Sequence, residues 1–353
     1  MREGRLSTMK RYTRWGVSAV ASLTLAIGTL AQPAAAESWK FALEEIDGSV
    51  QDAYAEAFKK RIEEKSGGEV TVNIYPYGTL GTSTQLTELA ANGAIQFANA
   101  SPGHLGKLIP EIQVLSIPYL LSQNNECNKQ VLGGSEVIYE NLDEKFENQG
   151  LKLLTMYPEG QMVWTTNKKI TSPEDFSNFK IRVMTSPLLV RAYEAFGANP
   201  TPMPYSEVYS GLQLGQIDGQ VNPIFAIEEM KFYEVQDYMI WAGQQQFTTT
   251  VVANYGFYDG LSDEHRQLVD STVDEMVDVI FKTQDQYNKE RLEKIKQTSD
   301  IEMIHLNEEQ RAVFAERAKQ VEKKFVEMTG DSGEKVLNAL TQEIKSCEDK
   351  MGS

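Results

Sequence analysis

The chain has 353 residues, 41% of them hydrophobic and 24% charged, an ordinary globular composition in a chain long enough for two separate cores. Its formal charge is −16, and beyond the first 36 residues 29 basic side chains face 49 acidic ones, a net charge of −20. Such a surface repels nucleic acid and anionic lipid, so neither is an expected partner, although one buried Arg can still dominate a local anion site.

The first 36 residues read as a cleaved export signal. A basic region ending at Arg14 precedes an apolar run from Trp15 to Ala31, and Ala34-Ala35-Ala36 offers a small-residue cleavage site near Ala36. Met9 is a second candidate start, because Lys10-Arg11 alone supplies a basic end. No later run of about twenty apolar residues follows, and no Cys lies near the cleavage site, so a soluble mature protein without a lipid anchor is expected. In an oxidising compartment the two cysteines, Cys127 and Cys347, permit a disulfide. With 220 residues between them, two free thiols is the other reading.

Trp39 to Leu43 alternates as a first strand, with Glu44-Glu45-Ile46-Asp47-Gly48 as the loop at its carboxyl end. Ser49 to Lys65 carries one apolar helical face and stops at Ser66-Gly67-Gly68. Val70 to Tyr75 predicts a strand, Thr82 to Asn92 a helix, and Ile95 to Asn99 a short buried strand before the turn Ser101-Pro102-Gly103-His104. Glu126 to Gln149 is broadly helical; Leu151 to Tyr157 and Met162 to Asn167 read as strands. Ser172-Pro173-Glu174-Asp175 is a helix start.

The stretch Asn178 to Glu229 is the densest part of the pattern. It predicts a strand at Lys180 to Met184, a helix at Pro187 to Phe196, a fixed loop at Pro200-Thr201-Pro202-Met203-Pro204, a helix at Ser206 to Leu214, and a last strand and turn at Ile217 to Pro223. Helices joining strands of one sheet give a parallel arrangement, and ligands of such sheets bind at the carboxyl ends of the strands. Arg182 is therefore a candidate ligand contact. Tyr238 to Trp241 and Phe247 to Asn254 follow as β runs. From Ser262 to Gln297 there is neither Pro nor Gly, which predicts one helix about 50 Å long. That exceeds the width of a single domain and fits a helix bracing two lobes. Helices at Asn307 to Thr329 and Ser332 to Asp349 end the chain.

Catalytic and metal signatures are missing. The three histidines, His104, His265 and His305, form no metal-ligand pattern, and there is no nucleophile elbow, phosphate loop, dinucleotide fingerprint or calcium loop. Acid pairs such as Glu44-Glu45 read as solvated surface. No cofactor is expected. An exported chain without a nucleophile–base constellation reads as a binder; a secreted two-lobed α/β enzyme is the alternative from a different class.

Several motifs together resemble the solute-binding proteins of tripartite ATP-independent periplasmic (TRAP) transporters. They are Phe179-Lys180-Ile181-Arg182-Val183, Gly197 to Pro204, Glu207-Val208-Tyr209, Gly211-Leu212-Gln213 with Gly215, and Asp218 to Pro223. Ser116 to Leu121 and Thr166 to Ile170 match elsewhere, so the similarity covers the whole mature chain. The resemblance implies an α/β fold of two lobes around a cleft (a type II-like periplasmic binding protein) with a long C-terminal helix bracing both. Lobe I would take 37–159 with 248–287, and lobe II 160–247 with 288–353. Ligand would close the lobes by a hinge and pass to a membrane permease, with the protein a periplasmic monomer.

By the same resemblance Arg182 pairs with a ligand carboxylate and Asn222 supports that group. A planar guanidinium suits this role through two parallel donors. Sugar-acid and dicarboxylate binders of the family carry a second Arg in G-x-R-x-x-T, where this chain has Met162 in Gly160-Gln161-Met162-Val163-Trp164-Thr165. With Tyr157-Pro158-Glu159-Gly160 and Ser101-Pro102-Gly103, this looks most like the branch binding ectoine and hydroxyectoine, zwitterions with one carboxylate and a delocalised cation. Glu45, Tyr205 and Phe247 stand where that branch places cation-binding groups, while His104 and Ala226 replace bulkier aromatics. Core packing for Tyr205 and Phe247, and a solvated loop acid for Glu45, are the other readings. An organic-acid or sugar-acid ligand remains open.

Overall fold

The computed structural model describes residues 36–351. The expected signal segment, apart from Ala36 itself, falls outside the described residues. Among the described residues no helix is long and apolar enough to cross a membrane.

Among the described residues eleven strands build two mixed sheets. The first four are β1 (Glu37–Ala42), β2 (Val70–Tyr75), β3 (Phe97–Ala100) and β4 (Leu151–Gln161). Then come β5 (Val163–Thr166), β6 (Lys180–Val183), β7 (Asn199–Pro202), β8 (Gly219–Asn222) and β9 (Tyr238–Trp241). The last two are β10 (Gln246–Asn254) and β11 (Glu302–His305). One sheet has the order β2-β1-β3-β10-β4, the other β11-β9-β5-β8-β6-β7. The chain thus passes between sheets at Met162 and again over 242–245, and a two-lobed α/β architecture results.

In the first lobe Ser49 caps the helix Val50–Lys65 by accepting from the Asp52 N–H. Tyr54, Phe58 and Ile62 recur every fourth residue on its buried face. Phe58 meets Phe41 of β1 edge-on at 5.5 Å, and Tyr54 stacks on Tyr157 of β4 at 5.1 Å. Burying each such ring is worth about 2–3 kcal/mol. In the second lobe Trp164, Phe176, Phe196 and Phe314 form an edge-to-face cluster with centroids 5.0 to 6.3 Å apart.

Three elements differ from expectation. The Pro-spaced run, expected as a loop, begins as β7, which pairs in parallel with β6 from Lys180↔Asn199 to Val183↔Pro202. Proline is tolerated because β7 is the outermost strand and one of its edges needs no donors. The helix expected over Glu126 to Gln149 breaks into Asn125–Gly134 and Glu136–Glu147, because Ser135 is extended and caps Ile138. β4 also runs on through Pro158 to Gln161 instead of ending at Tyr157.

The bracing helix is Asp263–Thr298, capped by Ser262. Near its start Lys65 of the first lobe reaches Glu275 at 2.9 Å; near its end Arg291 reaches Glu228, just after β8, at 3.3 Å. The final helical stretch, Glu308–Met351, bends at Gly330 (φ 63°, ψ −151°), the break expected between Thr329 and Ser332. Phe314, before the bend, packs in the second lobe. Beyond it, Ser135 donates to Glu343 at 2.8 Å, and Cys127 is bridged to Cys347 with Cα atoms 5.6 Å apart. The tail beyond Gly330 is thereby tied to the helices Asn125–Gly134 and Glu136–Glu147.

Candidate functional site

A cavity lies between the lobes, with about 380 Å³ of empty space when the part open to solvent is included. The first lobe contributes Glu44 and Glu45 from the loop after β1, Gln51 from the next helix, Ser83, and His104. The second contributes Arg182 from β6, Met184, Tyr205, and Asn222 and Pro223 at the end of β8, with Ala226 beyond. Phe247 enters from β10 beside the crossing. All six residues singled out in the sequence, Arg182, Asn222, Glu45, Tyr205, Phe247 and His104, line this one cavity. β6 and β8 run parallel, so Arg182 and Asn222 come together at adjacent carboxyl ends.

Arg182 is 1% exposed and, among the described residues, forms no ion pair. Its Nε donates to the Met203 carbonyl at 3.0 Å. Burial drags its pKa down to about 10, the mark of a guanidinium stripped of water without a carboxylate partner. Asn222 donates one amide hydrogen to Gln220, whose own amide donates to Thr165 at 3.0 Å. Its second amide hydrogen is left for the cavity.

The opposite wall is acidic, and Glu44 and Glu45 are not the solvated pair expected. They are 5% and 6% exposed. Glu44 accepts from the Ser101 backbone N–H at 2.9 Å and meets His104 Nδ1 at 3.0 Å, a nitrogen also 2.9 Å from Ser101 Oγ. Glu45 Oε2 accepts from the Gln51 backbone N–H at 3.3 Å. Behind it, fully buried Glu159 accepts from Gln51 Nε2 at 3.1 Å. Burial, reinforced by Glu159, raises the Glu45 pKa well above the ordinary carboxyl value, and burial raises Glu159 to about 7 and nearby Glu229 to about 9.

Tyr205 meets Tyr77 and Phe232 edge-on, each at 6.0 Å, and burial holds its hydroxyl well above its usual pKa, so it stays protonated. Tyr205 and Phe247 therefore both pack and line the cavity. Met162, in contrast, is not part of the cavity lining. It is 1% exposed at the crossing, where its N–H donates to Gln245 O at 2.9 Å. Of the lining residues that sequence reasoning missed, Glu44 and Gln51 follow the carboxyl end of β1, the position that singled out Arg182 on β6.

Residues 41–329 match the bacterial extracellular solute-binding protein family 7. The chain is 44% identical over 341 residues to the ectoine-binding periplasmic protein TeaA of Halomonas elongata, covering 96% of this chain and 98% of TeaA. It is 43% identical over 331 residues to the ectoine/5-hydroxyectoine-binding periplasmic protein UehA of Ruegeria pomeroyi, covering 94% and 96%. A solved structure of the periplasmic ectoine-binding protein of the Halomonas elongata TeaABC TRAP transporter superposes with a TM-score of 0.85 at 46% identity, covering 88% of this chain and all of that one. The chain therefore belongs to the bacterial extracellular solute-binding protein family 7, as a TRAP-transporter binding protein and not an enzyme.

Proposed function

We propose that the protein captures ectoine or a close zwitterionic relative in the periplasm and delivers it, as a monomer, to a TRAP permease. One observation carries the reading: a buried guanidinium without an ion-pair partner faces buried acids across a single small cavity. A ligand with one carboxylate and one delocalised cation neutralises both walls at once. A dicarboxylate would meet the acidic wall with like charge.

Arg182 holds the ligand carboxylate through parallel N–H donors, and the free hydrogen of Asn222 supports it. Glu45 faces the cation, with the rings of Tyr205 and Phe247 as its apolar and π walls. His104, fixed by Glu44 and Ser101, presents its remaining nitrogen at the rim. Ala226 leaves room where a larger side chain would press on the ligand. Closure works through the crossings at Met162 and 242–245, since the lining residues come from both sides of them. The lobes are those of the two sheets, and the segment preceding Glu37 is the cleaved export signal.

A calorimetric panel of ectoine, 5-hydroxyectoine, a C4-dicarboxylate and a uronate tests the reading. Binding of the two ectoines alone is expected. Binding confined to the acids would overturn it.

A further inference from the structure

The acidic wall holds more carboxyl groups than one ligand cation can pair with. Glu159 is the informative one, because it does not line the cavity and yet touches the group that does. Its position follows from a break in register: Phe247 pairs with Gly160 but Thr248 with Pro158, so Glu159 is the extra residue of a β-bulge. Asn288 of the bracing helix fixes the bulge by donating to the Glu159 carbonyl at 2.7 Å. The bulge turns the side chain to the rear of Glu45, where Gln51 holds both acids through its backbone and side-chain N–H groups.

Gln51 thus holds the two carboxyl groups side by side, and the charge of Glu159 opposes ionisation of Glu45. Glu159 Oε2 has no hydrogen-bond partner. Around the pair stand Glu44 and His104 from the first lobe, Glu229 with Asp52 beyond it, and the hydroxyls of Tyr54, Tyr157 and Tyr205. The cations nearest this wall, Arg291 and Lys294, are engaged by Glu228, and Arg182 belongs to the far wall. Two desolvated carboxyls without a counter-ion cannot both ionise.

We propose that Glu159 is a positioning residue for the ligand's cationic group: it shares one proton with Glu45, and a cation entering the cavity displaces that proton. The inference rests on the zwitterion reading above. The empty site keeps a single negative charge behind its wall, and the ligand cation stabilises the second. One proton leaves for each ligand bound. Because the occupied state favours the ionised pair, affinity rises with pH until the pair is ionised without help, and falls about tenfold for each pH unit below that point.

The test is calorimetry of the full protein with ectoine between about pH 5.5 and 8.5, in buffers of different ionisation enthalpy. About one proton should be released per ectoine near pH 6. In Glu159→Gln, Glu45 keeps its charge to lower pH, so release should vanish and ectoine should bind roughly tenfold tighter than to wild type at the acid end. His104→Gln should retain the wild-type slope. No release in wild type, undiminished release in Glu159→Gln, or loss of the slope in His104→Gln would each overturn the proposal. Infrared spectra of the ligand-free protein provide a reading independent of ectoine: wild type near pH 6 should show a buried protonated-carboxyl band, additional to that of Glu229, that Glu159→Gln lacks. If ectoine fails to bind but the band behaves so, the shared proton stands and the ligand assignment falls; a wild-type spectrum without the band removes the shared proton itself.

Discussion

Replacing Arg182 with Met should stabilise the empty protein while destroying its function. Burial lowers the guanidinium pKa from its ordinary value to about 10, a cost of about 3 kcal/mol for keeping the charge in a site without a carboxylate. Met removes that cost and loses the hydrogen bond to the Met203 carbonyl, worth about 1 kcal/mol. The net gain is about 2 kcal/mol. With an unfolding entropy of roughly 0.65 kcal/mol/K for a chain of this length, the melting temperature should rise by roughly 3 °C. Ectoine affinity should fall by about 30- to 5,000-fold, because truncating one partner of a buried charge pair costs about 2–5 kcal/mol. Saturating ectoine then reverses the ranking, since at about 1,000 times the wild-type Kd it adds about 4 kcal/mol to wild type and only about 1 kcal/mol to a variant that binds roughly 300-fold more weakly. Differential scanning calorimetry with and without ectoine reads both arms. A variant that melts below wild type when empty would show that the guanidinium already has a partner, and the charge-complementarity argument would fail.

Removing the disulfide with Cys127→Ser and Cys347→Ser opens a loop of 220 residues, for which chain-entropy arguments give a loss of about 5 kcal/mol. The melting temperature should drop by roughly 7 °C with ectoine affinity unchanged; an unaltered melting temperature would refute the entropic account. The buried acids set a pH trend of opposite sign to the ligand's. Glu159 near 7 and Glu229 near 9 are raised above their unfolded value of 4.5, so the stability they contribute is complete below about 4.5 and is lost as pH rises through 7 and on to 9. Thermal melts of the ligand-free protein should show this decline, flattened in Glu229→Gln, and a melting temperature climbing across that window would contradict it. Gly160 has φ +131°, and a Cβ there would lie 2.6 Å from Asn288 Nδ2. Gly160→Ala should cost about 1–3 kcal/mol and weaken ectoine binding through the bulge, and a neutral result in both assays would show that the crossing tolerates displacement.

Much of the second lobe was legible because its strands, helices and turns are contiguous. Arg182 and Asn222 stand forty residues apart (182 and 222), yet parallel pairing of β6 with β8 follows from the pattern between them. The acidic wall was legible only in part. Glu45 emerged through resemblance, but Glu44 read as an ordinary acid in an acidic chain and Glu159 only as a member of the Tyr157-Pro158-Glu159-Gly160 motif, since burial depends on lobes brought together by distant segments. β11 escaped notice for the same reason: four residues pair with β9 only after the bracing helix carries the chain back. Nor could spacing show that the last helix, beyond Gly330, would be tied to the helices Asn125–Gly134 and Glu136–Glu147.

The crossing explains how these distant parts act as one site. β4 and β10 pair along their whole length, from Asn254↔Leu151 to Gln246↔Gln161, and at one end each passes directly into the second lobe. Glu159 and Phe247 lie at that end, one behind the acidic wall and the other in the cavity lining. Asn288 donates to the Glu159 carbonyl at 2.7 Å and accepts from the Phe225 N–H at 3.2 Å, so one side chain of the bracing helix grips the bulge and the segment following Asn222. A relative movement of the lobes therefore disturbs the backbone that aims Glu159 at Glu45. On the proposed hinge reading, charge on the acidic wall and closure of the cleft are coupled through this short stretch, and Asn288→Ala should alter the pH dependence of ectoine binding although Asn288 touches no ligand. An unchanged pH profile in that variant would separate the two and leave the bulge a purely local feature.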